Sequence, residues 1–235
     1  MNYNYYYNNV PGKGQCRNNL IYTSLISDDK TEFVQWYYND TGYHNGQNQV
    51  VDPALMQQKW EREIIFLQFM EAEAPNMIPR IIDIDEEQRK IFLEINGSDF
   101  WEQAGCKQEN FDAICPDWQE QMLDIIEMHE ELGLFKFSLH PSSYFLVNGR
   151  LKSINYFFCY SDEEQLITVG EHLSHISDDR QKDLFPQMES KGINVNEPQQ
   201  YRDLQLLCFD SFASDYPAEF IEEAKKIYSV QNNPS

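Results

Sequence analysis

The feature that most constrains the fold of this chain is one long helical segment with a pair of strand-like segments on each side. Asp52 and Pro53 are typical of a helix start, apolar side chains then repeat at helical spacing, and Pro75 marks the end. The flanking segments are apolar and rich in β-forming residues. We therefore predict two strand pairs, 19–26 with 32–38 and 78–85 with 90–95, around the helix.

The second half of the chain is predominantly helical by the same criteria. Asp117 and Glu120 have capping-box spacing before a helix over 118–132, and Gly133 is its expected stop. Asn148-Gly149 is a strong signal for a short hairpin within 144–154. The remaining predictions are a flexible or edge-packed leader over 1–9, a polar loop over 39–50, loop or short helix over 98–116, and helices over 163–175, about 198–212 and 217–229.

Asn96-Gly97 interrupts the pattern and is the predicted hinge between two lobes. The sequence thus predicts an α+β fold in one bilobal unit. Residues 1–96 form an N-lobe with an antiparallel sheet and one helix. Residues 97–235 form a reduced, mostly helical C-lobe with a small hairpin at 144–154.

Charge and cysteine content limit the classes of partner and compartment. The formal net charge of the 235 residues is -21, which repels nucleic-acid phosphates and anionic lipid and suits a basic protein partner or simply a solvated surface. No apolar run approaches the roughly 20 residues of a membrane-spanning helix, and the first residues lack the features of a signal peptide. The five cysteines are widely spaced, which disfavours a disulfide framework or zinc site: Cys16, Cys106, Cys115, Cys159 and Cys208. We expect a cytoplasmic protein.

The histidines and the glycine pair near the start of the chain are weak signals for chemistry. His172 and His175, with Glu171 beside them, lie at a spacing that could form a metal face, but two histidines without a third ligand are more often surface residues. His129 is expected to be a hydrogen-bonded core residue. The stretch "GKGQCR" over 12–17 has two glycines at phosphate-loop spacing and by default indicates a turn. No Ser/His/Asp or Cys/His/Asn arrangement stands out.

Several short motifs occur in a fixed order between residues 12 and 160. They are "NNLIYTS" with Asn19 and Tyr22, "FVQW", "REIIFL", "IPRIID", "IFLEING" and "SLHPSSYFLVNGRLKSINY". Together they resemble the protein-kinase-like fold, most of all its aminoglycoside phosphotransferase and choline kinase branch. The resemblance implies a nucleotide cleft between the lobes, with His140 bracing the catalytic loop.

The resemblance also implies that the catalytic residues of that family are replaced here. The loop aspartate falls at Ser138, the asparagine that ligates a metal at Ser143, the metal-binding aspartate at Asn155 and the phosphate-pairing basic residue at Trp36. Glu63 takes the place of the helix glutamate and faces Trp36 without an ion-pair partner. Phosphoryl transfer needs a positioned nucleophile and metal ions, and magnesium prefers anionic oxygen ligands. We therefore predict no catalytic residues, no metal site and no cofactor.

Two features of the sequence keep nucleotide binding open as an alternative. The hinge backbone at Glu94, Ile95 and Asn96 could still meet an adenine edge, although ATP binding is not the favoured interpretation. Trp36 could fill the nucleotide space with its ring or be ordinary core packing. Other carboxylates lie near the cleft in sequence, but nothing indicates that two of them converge: Asp83, Asp85, Glu94 and Asp162.

The favoured interpretation is an inactive kinase-like protein, or pseudokinase, that acts as a protein-binding or regulatory module. One alternative is an atypical nucleotide-binding phosphotransferase that uses the same cleft. Another is an acidic decoy that mimics nucleic acid and occupies a basic protein. The compact, degenerate character would suit a viral protein in a host cytoplasm. The oligomeric state stays open.

Overall fold

The chain folds as an α+β protein around an antiparallel sheet. The structure is a computed structural model, and it describes residues 2–6, 9–10, 14–15, 22–37, 42–44, 47–49, 53–161, 186, 189–190, 205–206, 209–210 and 212–230. Within these residues the largest sheet has five strands, in the spatial order Tyr3–Tyr5, Thr23–Ser27, Glu32–Trp36, Lys90–Glu94 and Ile81–Asp85.

The strands of this sheet are β1 (Tyr3–Tyr5), β4 (Thr23–Ser27), β5 (Glu32–Trp36), β8 (Ile81–Asp85) and β9 (Lys90–Glu94). Shorter two-stranded pairs are β2 (Asn9–Val10) with β3 (Gly14–Gln15), β6 (Gly42–His44) with β7 (Gln47–Gln49), β10 (Leu134–Lys136) with β13 (Cys159–Ser161), and β11 (Tyr144–Val147) with β12 (Arg150–Ser153).

The described helices are α1 (Pro53–Glu73), α2 (Phe100–Gln103), α3 (Phe111–Ile114), α4 (Trp118–Glu131) and α5 (Ala218–Val230). Short 3-10 helices cover Pro75–Met77, Gln108–Asn110, Pro141–Ser143, Tyr156–Phe158 and Ala213–Asp215.

Helix α1 packs against one face of the sheet because each of them presents an apolar face to the other. Trp60, Leu67 and Met70 lie seven and three residues apart on one face of α1 and are buried, while Phe33 and Leu93 point from neighbouring strands into the same core. The positions between them on the strands face the opposite side. Sheet and helix therefore form two layers.

A second core lies among helices α2 to α5, where aromatic rings dominate. Trp118 is completely buried, and its ring centroid lies 4.9 Å from those of both Phe111 and Phe220. The first core takes residues from both sides of the predicted 96/97 boundary, since Phe145 and Phe157 pack in it beside the sheet. The sheet half and the helical half thus share buried side chains.

Most of the predicted elements are confirmed where the structure describes them. Helix α1 begins at Pro53 and ends before Pro75, the strand pairs are antiparallel, and the Asn148-Gly149 hairpin forms with both residues at positive φ. The leader contributes an edge strand, which is one of its two predicted forms. The predicted helix over 163–175 lies outside the described residues.

Two local predictions are wrong. The Asp117 side chain makes no capping hydrogen bond to α4, because the Asp117 backbone lies outside the extended region usual for a cap. Its carboxylate instead accepts a hydrogen bond from the Cys115 thiol at 3.3 Å. The predicted polar loop over 39–50 contains the paired strands β6 and β7, which its polar composition does not predict.

No helix among the described residues is long and apolar enough to cross a membrane.

Candidate functional site

Five buried polar side chains meet where the sheet, α1 and the β11–β12 hairpin come together. We call Tyr22, Gln35, Glu63, Ser143 and Asn155 the buried polar cluster. The Tyr22 hydroxyl donates to Asn155 Oδ1 at 2.5 Å, and Gln35 Nε2 donates to the same oxygen at 3.3 Å. Asn155 Nδ2 donates to Ser143 Oγ at 3.0 Å. One amide side chain therefore joins the sheet to the hairpin.

The backbone at Asn155 aims this side chain at the sheet. Asn155 has φ 69° and ψ 60°, in the left-handed region that asparagine tolerates better than most residues. It directly precedes the 3-10 helix Tyr156–Phe158, and the preceding Ile154 N–H donates to the Ser143 carbonyl at 2.9 Å. The sharp turn thus brings Ser143 and Asn155 together.

Glu63 reaches the cluster from α1 and is completely buried. Its Oε2 accepts the Phe157 backbone N–H at 2.6 Å. Burial raises the pKa of Glu63 to about 7, while the Phe157 N–H, the nearby polar groups of Gln35 and Tyr37, and Lys136 act in the opposite direction. Near neutral pH this carboxyl therefore changes its charge inside the protein.

Three polar atoms beside Glu63 make no hydrogen bond of normal geometry. Glu63 Oε1, Gln35 Oε1 and the Tyr37 hydroxyl are buried and unpaired, although Gln35 and Tyr37 lie close to the carboxyl. Glu63 gains a donor when its carboxyl is protonated, so the protonation state of Glu63 decides which hydrogen bonds these three groups can form.

Lys136 is a buried amine that sequence reasoning missed. Its Nζ donates to the Ser138 carbonyl oxygen and lies 5.6 Å and 5.4 Å from the ring centroids of Tyr144 and Tyr156. Burial lowers the pKa of Lys136 to about 7, against the smaller opposing effects of Cys159 and Glu63. The ring faces and the carbonyl oxygen replace part of the hydration that a buried ammonium loses.

His129 is the hydrogen-bonded core histidine that the sequence predicts. Its Nε2 lies 3.0 Å from the Tyr156 hydroxyl, and the side chain is 2% exposed. Burial lowers the pKa of His129 to about 3, with a smaller contribution from the positive charge of Lys136. The imidazole is therefore neutral at physiological pH.

Trp36 does not join the buried polar cluster. Its Nε1 donates to the Gln88 carbonyl at 3.1 Å, and the Lys90 ammonium lies 4.5 Å from its ring centroid. The resemblance places Trp36 opposite Glu63, but the structure puts Gln35 there. Successive strand residues face opposite sides of a sheet, so a shift of one residue exchanges the buried side for the other.

At the predicted hinge, two backbone N–H groups are already hydrogen-bonded within the protein. The N–H groups of Glu94 and Ile95 donate to the carbonyls of Arg80 and Thr31, each at 2.9 Å. The Glu94 carboxylate pairs with Arg80 Nε at 2.6 Å, and Asn96 is exposed. An adenine edge at Glu94 or Ile95 would have to displace these bonds.

The loop before β11 is braced by His140. Its Nδ1 lies 2.7 Å from Ser142 Oγ and accepts the Ser142 N–H at 3.1 Å, while its Nε2 lies 3.4 Å from Asp215 Oδ2. In the described turn that carries this Ser–His–Asp series, no backbone N–H is free to act as the oxyanion donor that acyl transfer needs. Pro141 has no N–H, and the N–H groups of Ser142 and Ser143 already donate within the turn. The series is a structural brace.

The other predicted groups do not assemble into a metal site among the described residues. No group of three or more His, Cys, Asp or Glu side chains in that part of the chain could hold a metal ion. Asp83 lies on the edge strand β8 and is exposed, and Asp85 accepts the Gln88 N–H in the turn that follows. His172, His175, Glu171 and Asp162 lie outside the described residues.

No family model matches the chain. A search of curated proteins finds no match either. Function must therefore be argued from the site itself.

Proposed function

We propose that this chain is a catalytically inactive, kinase-like protein that acts by binding another protein. In this proposal, residues 1–96 correspond to a sheet-bearing lobe and residues 97–235 to a helical lobe. The order of the elements supports it: a five-stranded antiparallel sheet with α1 packed on it is followed by α2 to α4 and the β11–β12 hairpin.

One observation carries the proposal: Ser143 and Asn155 hydrogen-bond to each other inside a closed cluster. By the resemblance, these two positions are where a kinase-like enzyme binds its metal ions. Here they offer a hydroxyl and an amide, both neutral, and each is less than 10% exposed. Magnesium prefers ionised oxygen ligands and keeps several waters, and a buried neutral pair provides neither the charge nor the room.

The surroundings of the cluster support the same conclusion. Gln35 takes the place beside Glu63 where a basic residue would pair with phosphates. The nearby Lys136 is buried, donates to the Ser138 carbonyl oxygen and lies over two tyrosine rings, so its ammonium is not presented to a ligand. Ser138 carries no carboxylate to orient a substrate hydroxyl, and a serine hydroxyl is a poor base near neutral pH. The hinge N–H groups of Glu94 and Ile95 are already bonded.

A combined binding and turnover experiment tests the absence of catalysis. We expect no magnesium-dependent change in melting temperature on adding ATP or ADP, and no ATP consumption above that of buffer. A nucleotide present at ten times its dissociation constant would stabilise the fold by about 1.4 kcal/mol, which is measurable. Magnesium-dependent ATP consumption that Ser138→Ala abolishes would refute the proposal and favour the atypical phosphotransferase.

A second candidate function is an acidic decoy that mimics nucleic acid, and the net charge of -21 favours it. Such a protein would occupy the basic surface of a nucleic-acid-binding partner. The test is a titration against a defined nucleic-acid-binding protein at 50 and 200 mM salt, with duplex DNA as competitor. The decoy requires steep loss of binding with salt and competition by DNA. Binding that is insensitive to salt would exclude it.

A further inference from the structure

The leader strand β1 occupies the edge of the main sheet in a well-defined register. Tyr3, Asn4 and Tyr5 pair antiparallel with Ser27, Ile26 and Leu25 of β4. The strand has three residues and is bonded on one side, because β1 is the first strand in the sheet order. The Tyr6 N–H extends the pairing with a bond to the Ser24 carbonyl at 2.9 Å.

Polar side chains at the edge of the sheet hold the first part of this segment. The Tyr3 hydroxyl donates to Glu32 Oε2 at 2.5 Å, and the Tyr3 ring meets Phe92 edge-on with centroids 6.0 Å apart. Asn4 Nδ2 donates to Asp28 Oδ1 at 2.6 Å. Partial burial, followed by the hydrogen bond to Glu32, raises the pKa of Tyr3 to about 12, so the phenol remains a donor.

We call the positions that hold the Tyr3 and Tyr6 side chains the two tyrosine seats. The Tyr6 seat is more deeply buried and lies in the helical half. Its hydroxyl donates to Asp99 Oδ2 at 2.6 Å, lies against Glu102 Oε2 and accepts the Asp99 N–H at 3.1 Å. Its ring meets Phe33 edge-on at 5.9 Å. Asp99 is completely buried and also accepts the Glu102 N–H at the start of α2. The seat thus combines an apolar wall with two carboxylates.

We infer that this edge of the sheet is an acceptor site for an extended segment with two tyrosines three residues apart, which the leader occupies in the free protein and a partner protein's segment replaces on binding. The inference rests on the proposed protein-binding function and names the chemistry of the partner segment. Strand addition supplies main-chain bonds, and the spacing of the two seats supplies specificity.

The carboxylates at the two tyrosine seats determine which form of tyrosine can bind. Each seat needs a phenol O–H that donates to Glu32 or Asp99. A phosphorylated tyrosine has lost that hydrogen and carries close to two negative charges beside the carboxylates. The site therefore selects unmodified tyrosine.

A peptide-exchange experiment with the full chain tests the inference. The probe is a fluorescent peptide with the sequence of residues 2–7, NYNYYY. In the natural chain the leader competes at a millimolar effective concentration. The double variant Tyr3→Phe, Tyr6→Phe keeps both rings but loses both bonds to carboxylates. We expect it to bind the peptide on the order of a hundredfold more tightly than the natural chain, about tenfold for each lost bond.

Acceptor variants made in the double-variant background provide the control. Glu32→Gln and Asp99→Asn each weaken peptide binding about tenfold, whereas Glu87→Gln, which changes an exposed carboxylate in the β8–β9 turn, leaves it unchanged. Glu32→Gln alone suffices if Asp99→Asn lowers helix content, because Asp99 also caps α2.

The outcomes separate this inference from the proposed function. Peptide binding that survives phosphorylation at both tyrosines, or no peptide binding to a double variant with native circular dichroism, overturns the acceptor site. Magnesium-dependent ATP turnover overturns the proposed function, and the peptide titration reports on the acceptor site in that case as well.

Discussion

At the scale of single residues, Asn155 is the side chain on which the buried polar cluster depends. Its amide both accepts and donates, so it can take hydrogens from Tyr22 and Gln35 and give one to Ser143. A carboxylate only accepts, and a hydroxyl is too short to serve three partners. The left-handed backbone at this position adds a second reason for asparagine.

The first prediction concerns Asn155→Asp, which keeps the shape of the side chain and adds a charge. The carboxylate lies in a cluster that already holds the buried Glu63, so we expect the free energy of unfolding to fall by roughly 2 to 4 kcal/mol at pH 8. The loss should shrink at pH 5, where a buried carboxyl takes up a proton. Urea denaturation at the two pH values measures both effects.

Asn96→Asp is the matched control, because Asn96 is exposed. It should change the free energy of unfolding by less than about 0.5 kcal/mol at either pH. Equal effects of the two substitutions would show that Asn155 is not held in a closed cluster.

The resemblance drew attention to some residues that the structure brings together in the cluster and not to others, for a physical reason. Ser143, Asn155 and Glu63 lie in motifs with local signatures, and the turn that carries Asn155 is short. Gln35 was missed because strand residues alternate between faces, and one step of register moves Trp36 out of the cluster and Gln35 into it. Lys136 was missed because nothing local marks a lysine that tertiary packing will bury.

At the scale of elements, the β11–β12 hairpin illustrates how a turn fixes the site. Asn148 and Gly149 have φ of 53° and 76°, as a two-residue hairpin turn with the twist of its strands requires. The register pairs Val147 with Arg150 and Tyr144 with Ser153, which sets Ser143 beside the end of β12. Errors in this turn would therefore displace the partner of Asn155.

The second prediction is that Gly149→Ala destabilises the protein by roughly 1 to 2 kcal/mol. A Cβ at Gly149 would meet nothing within 4 Å, so the cost comes from the positive φ alone. Arg150→Ala, an exposed neighbour in the same hairpin, should cost less than about 0.5 kcal/mol. Thermal and urea denaturation measure the two variants side by side, and an equal loss for both would contradict the conformational explanation.

Elements that depend on neighbouring residues were predictable, and elements that depend on distant pairing were not. Proline at the start and end of α1 and the Asn-Gly turn act within a few residues. The three-residue strands β10 and β13 pair across 23 or more positions, Lys136 with Cys159, and carry no strand signal of their own. The cap at Asp117 was wrong because the Asp117 backbone lies outside the extended region that a capping side chain needs.

At the scale of the whole molecule, Glu63 connects the two halves through a carboxyl whose charged form is disfavoured by burial. It lies on the helix that packs on the sheet and accepts the N–H of Phe157, which follows the hairpin. Its pKa of about 7 in the folded protein is above the ordinary value of 4.5. The folded state therefore holds the proton more tightly than the unfolded chain, and this contribution to stability is present at low pH and lost as pH rises from 4.5 to about 7.

The third prediction follows from the upward shift of the Glu63 pKa. Glu63→Gln mimics the neutral carboxyl, so its free energy of unfolding should equal that of the natural chain near pH 4.5 and exceed it by roughly 3 kcal/mol at pH 8. Urea denaturation across this range measures the difference between the two proteins, in which the titration of distant groups largely cancels. Lys136, Tyr37 and Tyr156 are the ionisable neighbours that interact with Glu63.

Glu71→Gln is the control for this pH series, because Glu71 is exposed on the same helix. Its difference from the natural chain should stay flat with pH. A flat difference for Glu63→Gln as well would mean that Glu63 titrates at its ordinary pKa and is not desolvated.

The complete burial of Lys136 makes this amine a natural reporter of global opening. Acylating reagents that modify surface lysines within seconds cannot reach a group enclosed by tyrosine rings. Its modification, followed by mass spectrometry, should therefore proceed only as fast as the whole molecule transiently unfolds. A single peptide fragment would then yield the lifetime of the native state without any added dye or label.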